Sequence, residues 1–136
     1  MKKGDYVRRV TKYGDLIGPY LQVQVVQGRD NVVYCDTVGL DEPNIKCYKP
    51  SLRVIPHTSV CISEEVLMKL KSGRQSVVSH PMCKRWFNIM NENQPKLITF
   101  YCLPKNYKYT FVVDNIYAFT RNGKITVKIV LSNMIK

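Results

Sequence analysis

The residues best able to do chemistry in this chain fall together in one stretch: Arg74, Gln75, Ser76, His80, Lys84, Arg85 and Trp86, with Tyr101 a little further on. Guanidinium and ammonium groups can hold phosphates. An amide and a hydroxyl can read hydrogen-bonding edges, and the imidazole, indole and phenol rings offer flat faces on which bases stack. As a set they point to a nucleic-acid surface. Each also has a plainer reading: Trp86 as a core residue, His80 as a helix cap, Lys84 and Arg85 as solvated charges, Gln75 and Ser76 as partners of a neighbouring strand. Catalysis would need a general acid or base, and the nearby candidates, His80, Glu92 and Asp114, form no recognisable triad or metal motif. The five cysteines (Cys35, Cys47, Cys61, Cys83, Cys102) are widely spaced, without a Cys-x-x-Cys pair, and only His57 and His80 accompany them. That pattern argues against a zinc site and for thiols in a reducing compartment, and it implies no cofactor.

The elements that must position these side chains can be read from local signals. Ser63 is suited to cap a helix. Glu64 and Glu65 follow in its first turn, where carboxylates meet the positive end of the helix dipole. Ile62 and Leu67 can form a hydrophobic staple, Val66, Leu67 and Leu70 make an apolar stripe, and Gly73 stops the helix. This predicts a helix from Glu64 to Ser72. Gly73 to His80 reads as a polar loop or strand, and Pro81 suits the first turn of a second helix running to Asn91, with Met82, Trp86, Ile89 and Met90 along one side. Beyond it, Leu97–Leu103 and Tyr107–Ala118 alternate as strands, Arg121-Asn122-Gly123 is a hairpin signal, and Ile125, Val127 and Ile129 mark a last strand.

A helix ending Leu70-x-x-Gly73, a polar segment with Gln75 and Ser76, Trp86, and then Ile98-x-Phe100 resembles the ASCH domain, a PUA-like β-barrel associated with RNA. The resemblance spans roughly Ser59 to Lys136. It implies a barrel with a cleft for RNA or a modified nucleoside. Members that are amidohydrolases use a Lys, a Thr and a carboxylate from a motif resembling x-Lys-Thr-x-Glu-x-Arg. In that register Gln75 replaces the Lys, Ser76 keeps a hydroxyl, Val78 replaces the Glu and His80 replaces the Arg. Gln offers no titratable amine and Val accepts no proton, so the resemblance implies binding without turnover.

The first part of the chain reads as β throughout. Asp5–Val10, Tyr20–Val26 and Asn31–Asp36 are expected strands, with a loop over Tyr13–Pro19, a turn over Gln27–Asp30 and a polar loop over Leu40–Asn44. Ile45–Tyr48 and Leu52–Ile55 close the sheet. Lys3-Gly4-Asp5-Tyr6-Val7, Gly18-Pro19 before a strand and a closing Leu52-Arg53-Val54-Ile55 resemble a small SH3-like barrel of the kind found in short bacterial and phage proteins. Ile55–Ser59 reads as the boundary. The expected architecture is mainly β with a few short helices: an SH3-like module over 1–57 and a PUA/ASCH-like barrel over 58–136.

Charge narrows the function classes. The chain carries +11, of which residues up to Thr58 contribute +3 (nine basic, six acidic) and the remainder +8 (twelve basic, four acidic). No apolar window is long enough to span a membrane and no signal-peptide pattern follows the start, so the expected location is cytoplasmic. A basic chain with nine Tyr favours a polyanion, RNA over duplex DNA because no helix-turn-helix or finger pattern is present. The alternatives are an interaction or structural protein of a phage or mobile element docking on an acidic protein partner, and a hydrolase of nucleosides or RNA.

Overall fold

The computed structural model of the chain describes residues 1–27, 31–40 and 42–135. With 54% of the described residues in strands and 16% in helix, the fold is mainly β. It divides into two compact units, Met1–Ile55 and Pro56–Lys136.

In the first unit, β1 (Tyr6–Val10), β2 (Leu16–Val26), β3 (Val32–Thr37), β4 (Ile45–Tyr48) and β5 (Leu52–Val54) form one sheet in the order β4-β3-β2-β1-β5. Every pairing is antiparallel. Val7, Leu21, Val23, Val33, Cys35, Cys47 and Leu52 make its core, as period-2 alternation requires. Strand β2 starts at Leu16, inside the stretch expected to be a loop. The reason is a bulge. Val7 pairs with Leu21 but Arg9 already pairs with Ile17, so Gly18, at φ 75°, and Pro19 lie where the ladder asks for no regular bond. Arg8 Nε and Nη2 donate to the Gly18 carbonyl at 3.1 and 2.9 Å. Most of the turn expected at Gln27–Asp30, and Asp41 of the polar loop, lie outside the described residues.

The second unit contains β6 (His57–Cys61), α1 (Glu64–Lys71), β7 (Val77–Pro81), α2 (Lys84–Asn88) with a wider π-type turn over Ile89–Asn93, β8 (Leu97–Cys102), β9 (Tyr107–Arg121) and β10 (Lys124–Met134). The sheet order is β6-β8-β9-β10-β7. All its pairings are antiparallel except β6 with β8, which is parallel. Val60, Leu67, Leu70, Val78, Trp86, Ile89, Phe100, Phe111, Val127 and Ile129 belong to one core. The two phenylalanine rings in it are tilted at 57° with centroids 6.0 Å apart.

Helix α1 begins as its sequence dictates, with the Ser63 hydroxyl accepting from the Val66 N–H at 3.4 Å. It ends before Gly73, whose φ is 78°. Three expectations in this unit are corrected. The segment read as a linker, His57 to Ser59, is the start of β6, because its backbone pairs with Leu97–Thr99 of β8. Pro81 does not open the second helix: it ends β7 opposite Thr126, on the sheet edge where a missing N–H costs no ladder bond. The helix starts only after Cys83 and is short, because its last turn widens and closes on Gln94, at φ 39°, whose N–H donates to the Ile89 carbonyl at 3.0 Å. Between β9 and β10, Asn122 (φ 51°) and Gly123 (φ 74°) take the two positive angles of a tight hairpin.

Candidate functional site

The two end strands of the second sheet, β6 and β7, both border one cleft of about 390 Å³. The sheet therefore curls until its edges face each other, and the helices that join them supply the rest of the wall. Cys61 comes from β6, Ile62, Ser63 and Val66 from the start of α1, Gln75 from the loop after it, Val78, Ser79 and His80 from β7, and Trp86 from α2. Its size is in the range of ligand pockets.

Local geometry fixes the aromatic part of the wall. Trp86 is only 4% exposed, and the exposed His80 ring stacks on it in parallel, with centroids 4.8 Å apart and planes 3° apart. His80 Nδ1 lies 2.7 Å from the Pro81 carbonyl. Thus the indole belongs to the core and the imidazole presents the accessible flat face. Gln75 donates from Nε2 to the Val77 carbonyl at 2.5 Å, which holds the amide on the strand entering the cleft. Arg85 Nη2 donates to the Ser59 carbonyl at 2.9 Å, tying α2 to β6, and the Met82 N–H donates to the Ile125 carbonyl at 2.9 Å, tying the approach to α2 onto β10.

Of the eight residues singled out in the sequence, Gln75, His80 and Trp86 line this cleft. Arg74 borders a separate concavity with Met68, Lys69, Lys71 and Ser72. Ser76 lines a third, beside Leu131, Ser132 and Asn133, and its carbonyl accepts from the Leu131 N–H at 2.8 Å. Lys84 is exposed at the first position of α2. Tyr101 is half-buried on β8, paired with the wall residue Cys61 and with Lys108, and is not itself among the lining residues. Sequence reasoning missed Cys61, Ile62, Ser63, Val66 and Ser79 as wall residues. Ile62 and Ser63 were visible as a helix start, and their place in the wall follows only once β6 is recognised as a strand.

The concavity beside Arg74 is basic. Lys69 pairs with Glu65 at 3.4 Å. The Lys71 ammonium lies 5.0 Å from the centre of the Tyr109 ring, and its hydrogen bond to that phenol raises its pKa above the ordinary lysine value. Elsewhere in the unit, His57 Nε2 sits 2.7 Å from the Thr99 hydroxyl, which is itself 2.7 Å from the Thr110 hydroxyl. This chain satisfies two buried threonines, and desolvation lowers the His57 pKa. In the first unit, burial, followed by the neighbouring Cys47, pushes the Cys35 thiol up to about 12.

Among the described residues, no group of three or more His, Cys, Asp or Glu could hold a metal ion, and no helix is long and apolar enough to cross a membrane. Comparison of the chain with family models, curated proteins and solved structures gave no significant match.

Proposed function

We propose that the second unit binds RNA in the cleft between β6 and β7 and does not turn it over. One observation carries this reading: Gln75 and Val78 both line the cleft, and in the register of the ASCH resemblance these are the positions at which an amine and a carboxylate would be expected. Among the described residues the lining offers an amide, hydroxyls, a thiol, an imidazole and apolar surface, but no carboxylate to take a proton from water. His80, stacked on Trp86, gives an unpaired base a surface to lie on. Arg74, Lys84 and Arg85 are exposed on the elements that flank the cleft and can follow a phosphate backbone.

The test has two arms. Binding to single-stranded RNA is expected to fall with salt, with a log–log slope of about −0.7 per phosphate neutralised, and His80→Ala should weaken it. Acylated cytidines incubated with the protein should remain intact. Turnover that Gln75→Ala abolishes would overturn the non-catalytic reading. Failure to retain RNA at low ionic strength would transfer the positive charge to an acidic protein partner.

A further inference from the structure

The hairpin β9–β10 carries a second group of aromatic and basic side chains, on the face of the sheet turned away from the core. Val127 and Ile129 are fully buried, so the alternate residues Thr126, Lys128 and Val130 face the other way. Directly opposite them on β9 are Phe119, Tyr117 and Asn115, and on β7 are Pro81, Ser79 and Val77. Tyr117 and Phe119 therefore lie side by side along one strand, with ring centroids 6.3 Å apart and planes tilted by 48°. The Lys128 ammonium sits 5.8 Å from the Tyr117 ring centre. Tyr117 remains 37% exposed. Arg121 and Lys124 pair across the hairpin end on the same alternation.

Charge is one-sided here. From Asn115 to Ile135 the sequence contains Arg121, Lys124 and Lys128 and no Asp or Glu, the preceding residue Asp114 being the nearest acid on the strand. A surface patch built only for solubility carries mixed charge. This one combines two adjacent rings on a rigid sheet with cations alone, the pairing that lets a strand stack its bases while its phosphates are neutralised.

We propose that the outer face of the β9–β10 hairpin is a second binding surface for single-stranded nucleic acid, with Tyr117 and Phe119 stacking on bases and Lys128, Lys124 and Arg121 meeting phosphates. It shares the ligand class of the cleft reading but none of its residues, so the two can fail separately. The rings lie on the part of β9 that pairs with β10, which is itself held on its other side by β7, so the platform is formed before binding and less ordering entropy is lost.

The experiment follows the anisotropy of a fluorescein-labelled oligouridylate with the full chain at low ionic strength. Tyr117→Leu with Phe119→Leu removes the flat rings and keeps apolar side chains, and should lower affinity about tenfold or more with an unchanged salt slope. Lys128→Gln should instead reduce the slope by about 0.7. If the double leucine variant proves unstable, Lys124→Gln and Lys128→Gln carry the test on their own. Wild-type affinity in a folded double variant, with unchanged slopes in the lysine variants, overturns the proposal. A loss confined to His80→Ala overturns it while leaving the cleft reading in place. A loss confined to the hairpin variants supports it and removes the cleft. No binding by the wild-type chain overturns both.

Discussion

Among the described residues the two units use five strands each, and they differ in how the chain returns to the sheet. In Met1–Ile55, β1 to β4 are laid down one beside the next and only β5 comes back to pair with β1, always antiparallel. In Pro56–Lys136, β6 and β8 run parallel, and a parallel pair cannot be joined by a tight turn. The crossover consumes α1, β7 and α2. Those elements bring Leu67, Leu70 and Trp86 to the core and Ser63, Gln75 and His80 to the cleft. A concave site thus arises from one topological choice, and the same helices that close the core also wall the ligand space.

The sharpest test of this contrast is Trp86→Ala. It should cost roughly 3–5 kcal/mol of stability, the penalty of deleting a large buried ring, and amide exchange should rise more in β6–β10 than in β1–β5. Equal acceleration in both would show that the units unfold as one body. A stable variant that merely lost affinity would assign the indole to ligand stacking.

Next in size is an alkaline effect placed in the first unit. The Cys35 thiol is held up at about 12 in the fold, against an ordinary value of 9.0. The unfolded chain therefore loses this proton first, and the stability contributed by the protonated thiol should fall as pH rises from about 9 towards 12. Cys35→Ser should flatten that part of a denaturation-versus-pH curve. A curve unchanged by the substitution would refute the assignment.

The second unit has the opposite dependence. With the His57 pKa lowered from 6.5 by desolvation, the unfolded state binds the proton more readily, so stability should drop as pH falls below about 6.5. His57→Gln should reduce this acid sensitivity, and a titration of the ring by NMR gives the direction independently. The smallest effect is expected for Arg85→Ala. Its bond to the Ser59 carbonyl is exposed, so about 0.5–1.5 kcal/mol is at stake, while the salt slope for RNA should shrink by somewhat under one unit.

What the sequence made legible was whatever is encoded by neighbours in the chain. Ser63, Glu64, Glu65 and Gly73 state the limits of α1 within themselves, and Asn122-Gly123 states a hairpin. Strand β6 was hidden because only Val60 of its five residues is buried, so no alternation betrays it, and its partner β8 is remote. Pro81 misled because its helix-starting preference is a local rule, overridden by pairing with Thr126. The candidate site was legible in the same measure. Gln75, His80 and Trp86 lie close in sequence and in space, whereas Arg74 and Ser76 turn into other concavities. Tyr101 was chosen by residue type; it pairs with the wall residue Cys61 but is not itself among the residues that line the cleft.

The parallel β6–β8 pair also sets an order in time. The β9–β10 hairpin closes over two residues, Asn122 and Gly123, and such local pairings form in about 1–10 μs. The register of β6 instead joins His57 to Leu97 and Cys61 to Tyr101, so it must wait until the helices and the intervening strand are in place and the long loop's entropy has been overcome. The hairpin is then the seed of the second unit and the cleft its last-built part. No ladder pairing joins β6 to β7 among the described residues, so the seam between them is where the native molecule should breathe first.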